Sequence, residues 1–297
     1  MLWSQLNLVD GGESLGDTLG LFRAAFFTEK RNYWGGYDYE FKRSTKRELN
    51  RILQHRSITY RWDECIELPP LVAEIEEVSL PDEASSYYAQ FVRQIKRSRA
   101  SMQERQNAFI RMRQVSSGFV GFTDDETGER AEIAFDINPK LDRLLELIAQ
   151  VPPKSKWIVF HEFTYSGRLI TNALKDLGVR HEWLWGGAKD ARGIEDRFVN
   201  DERVRGIVLN HKMGAFSLDY LSRANYLFFF ESPVPVIARE QAERRPRRLG
   251  QKRTVFQFDL CCRGTVDSRI LSFHREGLDL GKAILRDPDS VLGEGRK

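Results

Sequence analysis

The segment Gln241-Ala242-Glu243-Arg244-Arg245-Pro246-Arg247-Arg248-Leu249-Gly250-Gln251 concentrates the side chains best suited to chemistry. Arg245 and Arg248 are three apart, so on a helical turn both project from one face and can converge on a single anion. A guanidinium is always charged and donates in a planar fork, which matches the oxygens of a transferring phosphoryl group. The competing reading is a solvated basic helix without chemistry, the usual fate of an arginine-rich run. A second basic stretch runs from Arg93 through Lys96, Arg97, Arg99, Arg105, Arg111 and Arg113, with Glu104 as its acid. Such an imbalance is the footprint of phosphate-backbone contact, which makes Arg97 and Arg99 candidates for nucleic-acid binding; a solvated helix is the alternative. Phe91, Ile95, Met102, Phe109 and Met112 on the same stretch read as core residues at helical spacing.

Other groupings carry less. Gly281-Lys282-Ala283 lacks the upstream glycine and the hydroxyl of a phosphate loop, and Asp63-Glu64-Cys65-Ile66 follows Tyr60-Arg61-Trp62 in place of an apolar strand. The sequence given thus contains neither G-x-x-x-x-G-K-[ST] nor an acidic strand end for Mg²⁺. Gly186-Gly187 reads as a turn. His55, His161, His181, His211 and His274 are scattered, so no metal site is expected. Cys65, Cys261 and Cys262 support neither a disulfide framework nor zinc, and a reducing, cytoplasmic compartment fits them.

The elements that position the arginines follow from periodicity. From Trp157-Ile158-Val159-Phe160 onward, short apolar runs alternate with helical patterns. The runs recur at Trp183-Leu184, Gly206 to Leu209, Tyr226 to Phe230 and Val255 to Phe258. Repeated strand–helix units predict an α/β fold, a mainly parallel sheet flanked by helices. The first part reads as mostly helical, with Lys42 to Gln54 and Ser85 to Val115 as charge-rich helices and no regular strand between them. Leu68-Pro69-Pro70 and Leu80-Pro81 interrupt it. Thr123 to Arg130 is polar and turn-forming, and Asn138-Pro139 opens a helix through Leu141, Leu144, Leu145 and Ile148. These patterns place a boundary at 137/138.

At 297 residues and 41% hydrophobic content the chain can bury a substantial core. The formal net charge of +3 neither demands nor excludes a polyanionic partner. No apolar run approaches the ~20 residues of a membrane helix, so a soluble protein is expected.

The arginine segment resembles motif six of Swi/Snf-type ATPases in helicase superfamily two, Q-A-x-x-R-x-x-R-x-G-Q, matched by Gln241, Ala242, Arg245, Arg248, Gly250 and Gln251. Leu2-Trp3, Leu15-Gly16 and Phe22-Arg23 look like that family's segment just after the last motif of the first RecA-like domain. Leu68-Pro69-Pro70 resembles its L-P-P turn, and Tyr87-Tyr88, Arg113-Gln114-Val115 and Ser117-Gly118-Phe119 its helical insertion. Lys156 to Phe163 is similar to motif four; Trp185-Gly186-Gly187, Arg192 and Asp196-Arg197-Phe198 match the turn and helix that follow. In motif five, Asn210 to Phe216 keeps Gly214 where the family has a Ser/Thr and a Gly-rich run; Arg247 stands where His is frequent.

The resemblance implies a RecA-like domain over 138–297, preceded over 1–137 by the trailing edge of a first motor domain and a helical insertion. It implies arginine fingers at Arg245 and Arg248, nucleotide contacts at Gln241 and Gly214, and a nucleic-acid contact at Lys212. The implied activity is that of the C-terminal motor half of a DNA-dependent ATPase or translocase on double-stranded DNA. ATP and Mg²⁺ would bind only with a P-loop-bearing N-terminal half, a separate chain or missing segment, and this chain alone would be inactive. A stand-alone nucleic-acid-binding or regulatory RecA-like module without ATPase activity is the alternative. A small-molecule enzyme on a doubly wound sheet would need a Gly-rich loop that the sequence lacks.

Overall fold

The structure, a computed structural model, describes residues 2–31, 37–58, 68–97, 101–123, 130–211, 213, 218–248, 250–277 and 280. By packing, the chain divides into Met1–Glu67 and Leu68–Lys297. The boundary read from the sequence at 137/138 marks a change of element type, from long helices to alternating strands and helices; the division at 67/68 marks a change of core.

The first unit contains α1 (Leu2–Asp10), α2 (Leu19–Phe26), the antiparallel hairpin β1 (Phe27–Arg31) and β2 (Tyr37–Phe41), and α3 (Lys46–Gln54). Leu6, Leu15, Phe22, Phe26 and Leu49 form its core.

The second unit is built on a six-stranded sheet in the order β3-β10-β9-β6-β8-β7. The strands are β3 (Leu71–Val78), β6 (Trp157–His161), β7 (His181–Leu184), β8 (Gly206–Asn210), β9 (Tyr226–Phe229) and β10 (Val255–Cys262), and every pairing is parallel. Parallel neighbours need crossovers, which here are α7 (Thr164–Asp176), α8 (Ala191–Asn200), the 3-10 helix Asp219–Arg223 and α9 (Val236–Arg244); α10 (Val266–Arg275) follows β10. The expected α/β sheet flanked by helices is present.

Strand alternation builds the two core layers. Trp157 and Val159 face Leu144, Ile148, Ile170 and Leu174 on one side; Ile158 and Phe160 face Ile194, Phe198 and Ala242 on the other. All four strand residues are fully buried. Trp157 lies over Gly206 on the paired strand, and a Cβ there would stand 2.0 Å from the indole. The helix opened by Asn138-Pro139 is α6 (Pro139–Gln150): Asn138 Oδ1 accepts from Leu141 N at 3.1 Å, and Leu144, Leu147 and Ile148 form its buried stripe.

The stretch between the early helices differs from the sequence expectation. β3 is a regular strand there, paired over its whole length with β10. Its sequence, L-V-A-E-I-E-E-V, carries too many glutamates to read as buried, and it is an edge strand with most residues exposed. The helices α4 (Asp82–Ile95) and α5 (Met102–Ser116) pack beside α10 through Ile95, Ala108, Phe109, Met112, Val266 and Ile270. Met102, expected in that core, is 45% exposed at the first turn of α5. β4 (Phe119–Thr123) and β5 (Arg130–Ala134) pair antiparallel; residues 124–129, read as a polar turn, lie outside the described residues.

Candidate phosphate-binding site

Helix α9 ends at Arg244, and Arg245 is its C-cap, with φ −61° and ψ −53°. Pro246 has no N–H with which to continue the ladder. Arg245 and Arg248 therefore do not share a helical face, which corrects the sequence expectation. A turn brings them together instead. Gln251 N donates to Arg248 O at 3.0 Å, and Gly250, with φ +95°, supplies the left-handed residue that reverses the chain.

The buried side chain of Gln251 ties this turn to the 3-10 helix. Its Nε2 donates to Ser222 O at 2.9 Å and Ala224 O at 2.8 Å, and its Oε1 accepts from Arg253 N at 3.1 Å. On the other flank, Arg247 Nε donates to Pro69 O at 3.1 Å. The turn is thus tied to the 3-10 helix and to Pro69, just ahead of β3.

Between these anchors the two arginines have unlike surroundings. Arg245 is 8% exposed; its backbone N–H donates to Ala242 O at 3.2 Å, but its side chain makes no hydrogen bond or ion pair among the described residues, and its buried Nε has no partner. Burial, then the neighbouring Arg248 cation, push its pKa below the ordinary arginine value, and Asp219 opposes them. A guanidinium remains protonated in proteins, so Arg245 carries its charge in these surroundings. Arg248 is ion-paired through Nη1 to Asp219, the first residue of the 3-10 helix. Arg244 is exposed and pairs with Glu240 at 3.3 Å, one helical turn back.

A buried network sets the position of α9. Arg239, 5% exposed, forks onto Asp259 of β10, with Nη2 to Oδ2 at 2.7 Å and Nη1 to Oδ1. Its Nε donates to Glu243 at 2.6 Å and its Nη1 to Ser232 Oγ at 2.6 Å, while its plane lies 3.6 Å over Phe229. Such bidentate geometry fixes orientation as well as charge. A second anchor lies at the carboxyl ends of the central strands, where Glu231 Oε2 accepts from Glu162 N at 2.6 Å and Phe163 N at 3.2 Å, and Oε1 from Ser166 Oγ. Two of these donors are backbone N–H groups at the entry to α7, whose N-cap is Phe163, and the third is the hydroxyl of Ser166 in its first turn. His211 lies nearly parallel to Phe160 and Phe229, with ring centroids 5.5 Å and 5.9 Å away, and His161 is held by Phe163 O at 2.9 Å and by Trp183 Nε1 at 3.3 Å. Burial keeps both imidazoles below their usual pKa and neutral.

The sequence-derived sites fare unevenly. Gln241 is exposed on α9. Arg97 is exposed just past α4, close enough to Glu104 to lower its pKa, behind the stronger effect of the Ser101 capping hydrogen bonds. Arg99, Lys212 and Gly214 lie outside the described residues. Arg113, read as part of a basic face, is instead buried. It donates to Ser232 O at 2.9 Å and lies over the Phe163 ring. Sequence reasoning missed Asp219, Glu231, Arg239 and Asp259. The available signal was an arginine and an aspartate at otherwise apolar registers, V-I-A-R and F-Q-F-D-L.

Among the described residues no group of three or more His, Cys, Asp or Glu could hold a metal, and no helix is long and apolar enough to cross a membrane. What the site offers is a cationic pair with one unengaged guanidinium, suited to phosphate oxygens.

Fold and site together define a RecA-like lobe with an arginine pair at the turn after α9. No family model matches the chain. It is 33% identical over 150 residues to the DNA repair protein RAD5 of Cryptococcus neoformans, a match covering 48% of this chain and 12% of that protein. In fold it is similar to the C-terminal part of the Fun30 ATPase domain, with TM-score 0.59, 18% identity, and 76% of this chain and 98% of that one covered. It is also similar to the Sulfolobus solfataricus SWI2/SNF2 ATPase core in complex with double-stranded DNA, with TM-score 0.56, 20% identity, and coverage of 96% and 60%. The chain is therefore similar to the C-terminal half of Swi/Snf-type helicase-like ATPases. The matched stretch spans between 5% and 24% of the curated relatives' lengths.

Proposed function

We propose that this chain is the C-terminal motor lobe of a DNA-dependent ATPase or translocase, in which Arg245 and Arg248 act as arginine fingers on ATP held by a P-loop-bearing lobe. The observation that carries this reading is Arg245, a buried guanidinium without a hydrogen-bond partner beside a second arginine. A buried donor left unpaired is costly, and a ligand phosphate oxygen at Arg245 would satisfy it. Phosphoryl transfer is catalysed mostly by positioning and charge stabilisation, so cations aimed at the γ-phosphoryl group lower the barrier when they engage charge that develops in the transition state. ATP with Mg²⁺ would be held by the P-loop lobe, since this sequence has no phosphate loop. Gln241 and Gly214 are the further nucleotide contacts of this reading.

Double-stranded DNA is the proposed track, supported by the neighbour whose structure includes it. Lys212, Arg97 and Arg99 are its proposed backbone contacts. Residues 1–137 would serve as the trailing edge of the first motor domain with a helical insertion, and 138–297 as the lobe proper. The free, buried Cys261 and Cys262 support a reducing, cytoplasmic-type setting.

A second reading, a regulatory or nucleic-acid-binding RecA-like module without turnover, draws on the hold of Asp219 on Arg248. The experiment that separates the two is ATP turnover with double-stranded DNA, measured for the chain alone and after fusion to a P-loop-bearing N-terminal lobe. The motor reading expects no turnover by the chain alone and DNA-stimulated turnover by the fusion. A fusion that binds ATP and DNA but gains no turnover from this lobe supports the second reading.

A further inference from the structure

The acid that faces the arginine pair is Asp219, and it is placed there independently of the ion pair it makes. The 3-10 helix that begins at Asp219 is held by Leu221, fully buried in the core, and by the two hydrogen bonds from Gln251 to Ser222 O and Ala224 O. Asp219 itself is at the surface, with its side chain 73% exposed and that of Arg248 33% exposed. Its charge also reaches Arg245, where it opposes the downward pull of burial and of Arg248. A backbone-anchored carboxylate thus stands at the two cations that the preceding section assigns to phosphate.

We infer that Asp219 sets the affinity and selectivity of the arginine pair: it is a tethered counter-ion that excludes singly charged anions and yields to a polyphosphate. This rests on the phosphate reading of Arg245 and Arg248. A tethered carboxylate competes at a fixed effective concentration, in the millimolar range for short flexible connections. A chloride or acetate ion, with one charge and few contacts, gains little against it. A polyphosphate offers several oxygens to both guanidiniums at once and displaces it. The tether is weak enough to be displaced, because an exposed ion pair shifts an equilibrium by a factor of only about 1.4 to 5. Removing its charge also relieves repulsion with the bound phosphate, so the whole effect on affinity is about two- to tenfold.

The test is a titration of the intact chain with sodium tripolyphosphate at constant ionic strength, read from arginine side-chain Nε–H resonances. The proteins are the wild type, Asp219→Asn, Arg245→Ala, Arg248→Ala and the Asp219→Asn/Arg248→Ala double variant, each checked for an unchanged melting temperature. Asp219→Asn is expected to bind about two- to tenfold more tightly and to become sensitive to added acetate, and prior removal of Arg248 should shrink that gain to less than about twofold. Unchanged or weaker binding by Asp219→Asn, with binding still weakened in the single arginine variants, overturns the inference and leaves the phosphate site standing. Absence of tripolyphosphate binding in every variant overturns the phosphate reading and this inference with it.

Discussion

Truncating Arg239 tests whether the buried network, and not helix propensity, holds the arginine-bearing turn in place. The side chains of Arg239 and Asp259 are 6% and 8% exposed, so the pair is screened little by solvent. Arg239→Ala removes the fork to Asp259, the bond to Glu243 and the stack on Phe229. It leaves the Asp259 carboxylate buried, with Ser232 Oγ at 3.3 Å and Gln257 Nε2 at 3.4 Å as its remaining side-chain neighbours. Breaking a buried ion pair from one side costs about 3–5 kcal/mol, because the surviving charge is uncompensated. For a unit of this size that corresponds to a melting temperature lower by about 6–20 °C. Replacing both partners by apolar residues, Arg239→Met with Asp259→Leu, should return most of the loss, since the desolvation cost disappears along with the attraction. The assay is urea unfolding followed by amide exchange in Leu227–Phe229 and Val255–Cys262, strands of the second unit. A loss below about 1 kcal/mol for Arg239→Ala, or no recovery in the double variant, would refute the reasoning.

Three further outcomes are expected. Burial holds His161, His181, His211 and His274 below the ordinary value of 6.5, so the unfolded chain takes up protons that the folded chain refuses. Stability present above about pH 7 should fall as pH drops through 6.5, with a shallower slope in His211→Gln, and equal urea midpoints at pH 7.5 and 5.5 would contradict this. Burial pushes the thiols of Cys261 and Cys262 up to about 12, so iodoacetamide at pH 8 should leave their peptide unmodified in native protein and label it in urea, as read by mass spectrometry. Gly206→Ala would press a methyl group against the Trp157 ring and should cost about 1–3 kcal/mol, measured by the same unfolding assay.

How far the sequence could be read follows from which interactions are local. The strands Trp157–His161 and Tyr226–Phe229 are apolar on both faces because helices cover both sides of a parallel sheet, and that pattern shows without any structure. The Asn138-Pro139 helix start is likewise a local signal. β3 escaped because Glu74 and Glu77 are exposed and Glu76 is paired with Arg143 on an edge strand, where pairing with β10 decides its conformation and neighbouring sequence does not. Their spacing singles out Arg245 and Arg248, but the local geometry differs from the expected helical turn: α9 ends before Pro246, and Gln251 anchors the turn that follows. Arg113 was misread because its partners are distant in sequence: Ser232 O, 119 residues away, accepts its hydrogen bond, and the Glu162 carboxylate lies 3.9 Å from its guanidinium. Asp219 and Asp259 meet their arginines across 29 and 20 residues, and no periodicity reports such partners.

The central claim, that the arginine pair acts on a nucleotide held by a second lobe, is tested most directly by steady-state ATP turnover in the P-loop fusion with saturating double-stranded DNA. Arg245→Ala and Arg248→Ala should each lower kcat by about 10³ to 10⁵ while leaving DNA affinity nearly unchanged, because a finger engages charge present only in the transition state. Arg244→Ala is the internal control, since Arg244 is exposed and paired with Glu240 on the helix surface, and its effect should be no more than a factor of a few. Equal and small losses of kcat in all three variants would contradict the account and leave this segment a basic surface turn.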